Sequence, residues 1–193
     1  MTPRIPDRPR PDGTSPTSPW LLRNPIDFIS EDHLRLRTIC ARIDGLADQP
    51  TPDPDAVAAL CGYLRNELPL LLADEDDALM PLVLARADPE DDLPRLAQRL
   101  DREHDEIARL AGVVAADICG ASAVGRLSQA VRDILRELAA ATRRHLILEN
   151  AVLLPLARAR LTQRDLDKLR DAMLRRRGLH DLFADPQGRG ALP

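Results

Sequence analysis

Apolar residues recur every three or four positions over four long stretches of the chain, the spacing that gathers them on one face of an α-helix. The first stripe runs Ile26, Ile29, His33, Leu36, Cys40, Ile43, and the second Leu60, Leu64, Leu68, Leu71, Glu75, Leu79, Leu82. The third runs Leu93, Ala97, Leu100, His104, Ile107, Ala111, Val114, and the fourth Leu127, Val131, Ile134, Leu138, Ala141, His145, Glu149, Val152. Helix starts are expected at Asn24-Pro25, Asp53-Pro54 and Asp88-Pro89, where a side-chain acceptor precedes a proline whose missing N–H costs nothing in the first turn. A fourth start is expected near Ser122, after the break at Cys119-Gly120. A shorter fifth helix should begin at Thr162, in a capping-box-like Thr-Gln-Arg-Asp, and stop at Gly178. Kinks or early ends are expected at Pro69, Pro81, Pro94 and Pro155.

Four amphipathic helices joined by short loops bury their stripes most readily against one another. The predicted class is therefore all-α, an up-down four-helix bundle with a short additional C-terminal helix. Residues 24–178 form the bundle in this reading. Residues 1–23, rich in Pro, Ser, Thr and Arg, form a disordered tail, and residues 179–193 form a flexible one, with no role assigned to His180. Length agrees with a single domain, since 193 residues suffice for one sizeable core. Aromatic residues make up only 2%, which suits helices better than sheets.

Charge and cysteine usage narrow the partners. The net charge of −4 gives no overall basic character for nucleic acid or anionic lipid, and Arg175-Arg176-Arg177 is accounted for by the dipole at a helix end. No stretch approaches 18 uninterrupted apolar residues, and the N-terminus lacks the apolar segment of a signal peptide. No nucleic acid and no membrane are expected as partners, and the expected location is cytoplasmic. Cys40, Cys61 and Cys119 are odd in number and lack CxxC spacing, so they are expected as buried free thiols in a reducing compartment.

The chemistry lies in what interrupts the stripes. The chain has four histidines, and three of them, His33, His104 and His145, fall on apolar faces. His145 and Glu149 are four residues apart, which on a helix is a rotation of about 40° and a rise of about 6 Å, so both face the core. A carboxylate alone there costs several kcal/mol and needs a metal ion or a protonated histidine beside it. Imidazole nitrogen with carboxylate oxygen suits iron, zinc or manganese.

An internal repeat reinforces the pattern. "LLLADEDDALMPLVLAR" from Leu70 aligns with "RHLILENAVLLPLARAR" from Arg144, placing Glu75 on Glu149, Pro81 on Pro155, and Leu71 on His145. "EDHLRL" around His33 aligns in the same way with "REHDEI" around His104. Two helix pairs of this kind would bring His33, Glu75, His104, His145 and Glu149 to one central place.

This constellation resembles the hemerythrin-like, or HHE cation-binding, domain, over roughly Asn24 to Leu161. The resemblance rests on His33, on Glu75 and His104, on His145-xxx-Glu149, and on Pro69, Pro81 and Pro155 near the two glutamates. It implies a non-haem iron site with one or two ions. It also implies a role in binding or sensing dioxygen, iron or another diatomic, or in handling peroxide or nitric oxide. The helix-two histidine of the family pattern is replaced by Leu71, which leaves five candidate ligands and allows a mononuclear site, a weakly held second ion, or water completing the shell.

Plainer readings stand beside this one. Singly, His33 and His104 read as interfacial histidines bonded to a nearby carboxylate, and His145 with Glu149 as a buried ion pair. Asp74, Asp76 and Asp77 read as a solvated face, with Asp74 about 100° from Glu75 on an ideal helix. Trp20 and Tyr63 carry no assignment. No nucleophile with a partnered base and no Gly-rich phosphate loop appear, so hydrolase and nucleotide-binding functions have no support. Three classes remain: a metal or oxygen-binding module, a peroxide- or nitric-oxide-handling redox enzyme, and a metal-free bundle acting as an interaction or structural protein. A binding or sensing role is expected over an enzymatic one, and the protein partner is unassigned.

Overall fold

The computed structural model describes residues 15–88, 90–119 and 125–183, and among these every regular element is helical. The elements are α1 (Pro25–Asp48), α2 (Pro54–Asn66), α3 (Leu68–Asp74), α4 (Met80–Leu84), α5 (Leu93–Ile118), α6 (Gln129–Leu148), α7 (Leu154–Arg160) and α8 (Gln163–Arg176). A 3₁₀ turn, Pro19–Arg23, precedes α1. Two π-helical turns, Glu75–Leu79 and Glu149–Leu153, join α3 to α4 and α6 to α7. The eight helices thus assemble into four rods, α1, α2–α4, α5 and α6–α7, with α8 as the fifth, shorter element.

Around the bundle, α1 packs on α6, α6 on α5, α5 on α2, and α2 back on α1. Cross-helix pairs fix the directions. Asp27 meets Arg158 while Asp44 meets Arg143 and Asp48 meets Arg136, so α1 runs antiparallel to α6–α7. His104 meets Asp76 while Arg65 reaches the Cys119 carbonyl, so α5 runs antiparallel to α2–α4. The core is built from fully buried Ile29, Ile43, Leu79, Leu100, Ile107, Leu110, Leu135, Leu138 and Leu146. The run 54–84 is long and apolar enough by composition to cross a membrane, yet part of it faces this core.

Local sequence explains most boundaries. Asn24 and Asp53 cap α1 and α2 by accepting the N–H of Asp27 and Asp55. Thr162 and Asp165 form the reciprocal capping box of α8, and Gly178 ends it with φ +67°, a left-handed conformation that a Cβ would strain. Two expected starts move. α5 begins at Leu93 after Asp92, with Pro94 in its first turn and not at a kink; Pro89, on which the expected start rested, lies outside the described residues. α6 begins at Gln129, capped by Ser128, and Ser122 also lies outside them. Along α6 the buried face centres on Leu135, Leu138 and Thr142, while Val131 and Ile134 are only half-buried.

The prolines at 81 and 155 produce π turns. Met80 N–H bonds the Glu75 carbonyl and Leu154 N–H bonds the Glu149 carbonyl, each five residues back, one residue before the proline. A proline inside a helix clashes with the carbonyl four residues earlier, and the wider turn relieves the clash. The repeat read from side chains therefore extends to the backbone, and each π turn starts at one of the buried glutamates.

Three expectations about the periphery are corrected. Residues 15–23 were expected in the tail, but Leu22 is fully buried, and Trp20 meets Phe183 edge-on at 5.8 Å beneath the Arg23 guanidinium. Leu179, Leu182 and Phe183, on the other expected tail, pack partly against the core. Cys61 and Cys119 form a disulfide across 58 residues of sequence, because the antiparallel register sets the middle of α2 beside the end of α5. Only Cys40 remains a buried free thiol, and burial pushes it up to about 11.

The third correction concerns Asp74, which is fully buried and not solvated. It ion-pairs with Arg176, and with Arg177 at 2.6 Å, tying the end of α8 to α3. Asp74→Ala leaves Arg176 only Asp77, at 3.4 Å, and Arg177 only the Met173 carbonyl among its hydrogen-bond acceptors, and both guanidiniums are partly exposed, so the cost falls near the low end for buried pairs, about 3 kcal/mol. Thermal denaturation should show a fall of roughly 6–12 °C; an unchanged midpoint would mean that α8 is held without the Asp74 ion pairs.

Candidate metal centre

Each rod delivers polar side chains to the same level of the core. His33 comes from α1, Glu75 from the first π turn, His104 from α5, His145 from the last turn of α6, and Glu149 from the second π turn. All five are buried, with relative exposures between 0% and 4%. His33 Nε2 lies 2.7 Å from Glu75 Oε1 and 3.3 Å from Glu149 Oε2. His145 Nε2 lies 2.9 Å from Glu149 Oε2, and His104 Nε2 stands 3.6 Å from Glu75 Oε2 and 3.7 Å from Glu149 Oε1. Glu75, His104, His145 and Glu149 can each offer one ligand atom such that all four atoms lie within 4.8 Å of one another.

The imidazoles are oriented alike. Every Nε2 points inward, and every Nδ1 is held by an acceptor on a different rod: His33 by Asn150 Oδ1 at 3.3 Å, His104 by Asp76 Oδ1 at 2.6 Å, and His145 by Glu103 Oε2 at 3.2 Å. Asn150 is itself oriented, because its amide donates to the Leu146 carbonyl at 2.6 Å and so turns Oδ1 toward His33. Donation from Nδ1–H to a carboxylate or amide oxygen leaves the Nε2 lone pair aimed at the centre, the arrangement by which proteins prepare histidines for a metal.

Two observations show that this cluster fits a cation. Both oxygens of Glu149 are fully buried and meet only imidazole nitrogens, at 2.9 to 3.7 Å, so the charge is costly unless a metal ion or a proton on those imidazoles compensates it. His104 Nε2 and His145 Nε2 face each other at 2.9 Å. Two lone pairs cannot share that gap without a proton or a metal. A first-row ion binding two imidazoles at about 2.1 Å and a right angle sets their nitrogens about 3.0 Å apart.

Without a metal, charge redistributes as protons. Burial opposes ionisation of His33, but the hydrogen bond and charge of Glu75 outweigh it and raise the imidazole to about 9. Burial likewise opposes His104, and Asp76, Glu149 and Glu75 overcome it, to about 10. Burial and the charge of Glu149 push Glu75 above the ordinary carboxylate range. Glu149 is pulled well below it, because the neighbouring imidazoles more than offset its own burial.

Leu71 is buried, and the Glu75 N–H bonds its carbonyl just as the Glu149 N–H bonds that of His145. Its backbone is therefore that of a ligand-bearing position with an apolar side chain. Sequence reasoning missed Asp76, Glu103 and Asn150. Each is adjacent in sequence to an inward-facing residue, but its partner is a histidine on another helix, so only the packed bundle shows its role.

Fold and site together define an all-α protein with a candidate cation site buried among four helical rods. A family model, the hemerythrin HHE cation binding domain, matches residues 24–157, and the chain belongs to that family. No curated protein and no solved structure matches the chain.

Proposed function

We propose that the chain holds non-haem iron, as one or two ions, through His33, Glu75, His104, His145 and Glu149, and uses it to bind or sense dioxygen, iron or a related small oxidant. The fully buried Glu149 carboxylate, with imidazole nitrogens of three helical rods converging on it, is the observation that carries this reading. Mixed nitrogen and oxygen donors suit iron, and bound iron would supply redox chemistry toward a diatomic ligand. The protein's part is to hold each Nδ1 proton on Asn150, Asp76 or Glu103 and to keep the cluster buried. A peroxide- or nitric-oxide-handling enzyme is the second reading, and turnover of either compound by the iron-loaded protein separates it from binding or sensing. The Cys61–Cys119 disulfide suits an oxidising compartment better than the cytoplasm expected from composition.

Elemental analysis of protein purified under reducing, iron-replete conditions tests the reading. Stoichiometric iron supports it. A preparation that never carries metal favours the competing metal-free bundle, in which protons on His33 and His104 balance the two glutamates.

Leu71→His tests the incomplete ligand set. The new imidazole sits one turn before Glu75, where His145 sits relative to Glu149. Iron per chain should rise toward two, with little loss of stability. If Leu71 is ordinary core packing, iron content stays unchanged and the unpartnered imidazole destabilises by about 1–3 kcal/mol. Iron content and melting temperature measured on one sample separate the outcomes.

A further inference from the structure

Between α5 and α6 a cavity of about 290 Å³ opens at the surface, lined by Arg99, Arg102, Glu103, Glu106, Ala141 and Arg144. Both of its carboxylates are committed. Glu106 makes two bonds of 2.8 Å to Arg109, which lies outside the cavity. Glu103 accepts from Arg99 Nε at 2.8 Å through Oε1, and from His145 Nδ1 at 3.2 Å through Oε2. Arg102 and Arg144 have no carboxylate partner among the described residues, so two guanidiniums on facing helices share one small concave space with a third that is paired.

We infer that this cavity is an oxyanion site that takes a phosphate group and transmits its occupancy to the buried cluster through Glu103. Guanidinium forks match the oxygens of a tetrahedral dianion, and forks from two helices can contact several of them at once, which a monatomic halide cannot exploit. Coupling follows from connectivity. An anion drawing Arg99 away leaves more of the Glu103 charge on the His145 Nδ1–H, which strengthens that imidazole as a donor at Nε2. The arginines also adjoin the site residues in sequence: Arg102-Glu103-His104 on α5 and Arg144-His145 on α6. The phosphate site stands independently of the proposed iron function, whereas its coupling rests on that reading.

Calorimetric titration of inorganic phosphate, and in a second arm glycerol phosphate, into the full chain at constant ionic strength tests the site. Saturable binding is expected, weakened at least tenfold by Arg102→Gln or Arg144→Gln and weakened less by Arg102→Lys, which keeps the charge and loses the fork. Binding of inorganic phosphate alone identifies the free ion as ligand, and binding of both identifies a phosphate group that an ester can carry. No saturable heat in either arm, or equal affinity in the Gln variants, overturns the proposal. Coupling is read from the visible absorption of cobalt-substituted protein: phosphate should shift the band in the wild type and leave it still in Glu103→Gln. A wild-type band that ignores bound phosphate, or a shift that survives in Glu103→Gln, overturns the coupling. Failure to bind any metal would remove the proposed iron function while leaving the phosphate titration, run on metal-free protein, fully decisive.

Discussion

Glu149→Gln should abolish metal binding while leaving the bundle folded. Glu149 is the residue on which the cluster converges: His33 and His145 approach Oε2 at 3.3 and 2.9 Å, and His104 approaches Oε1 at 3.7 Å. Glutamine keeps the volume but removes the charge and presents amide protons on one side. Loss of an outer residue that merely orients a metal ligand costs about 10–100-fold in affinity, so loss of a direct ligand should cost at least about 100-fold. Iron per chain should fall to background in the variant, with helical circular dichroism unchanged. Wild-type iron content in Glu149→Gln would place the metal elsewhere.

Chelation should lower the melting temperature of the wild type and have no effect on Glu149→Gln. An ion bound only by the folded state stabilises it by about 2.7 kcal/mol when present at 100 times its dissociation constant. For a chain of 193 residues that corresponds to roughly 5–10 °C. The chelated wild type and the untreated variant should lack the same stabilisation. A wild-type melting curve that does not move after verified metal removal would mean that protonated His33 and His104 satisfy the buried carboxylates without any ion.

How much of this was legible in the sequence depended on the range of the interaction. Asn24, Asp53 and the Thr162–Asp165 box act within one helical turn, and their residues alone announce helix starts. The five inward-facing residues could be found because each breaks an apolar stripe, and a stripe has a face whether or not its partners are known. The signal failed where a residue's role depends on another helix. Asp76, Glu103 and Asn150 look like ordinary surface neighbours until the bundle sets them against His104, His145 and His33. Asp74 reads as one more acid in a run of four, and only the return of α8 buries it beneath Arg176 and Arg177. Cys61 and Cys119 carry no pairing motif, and the antiparallel register of α2 and α5 alone brings them together. Pro81 and Pro155 announced a disturbance, but whether a helix meets a proline with a kink or a π turn depends on what packs around it.

The central claim is that a metal ion sits among the inward-facing nitrogens of His33, His104 and His145 and the carboxylates of Glu75 and Glu149. Anomalous diffraction recorded on either side of the iron absorption edge, from crystals grown with ferrous iron under reducing conditions, tests it most directly. The expected result is an iron-specific peak beside Glu149, between it and the Nε2 atoms of His104 and His145, absent from crystals of Glu149→Gln. A cluster without anomalous signal, or a peak bound by residues outside it, would contradict the account.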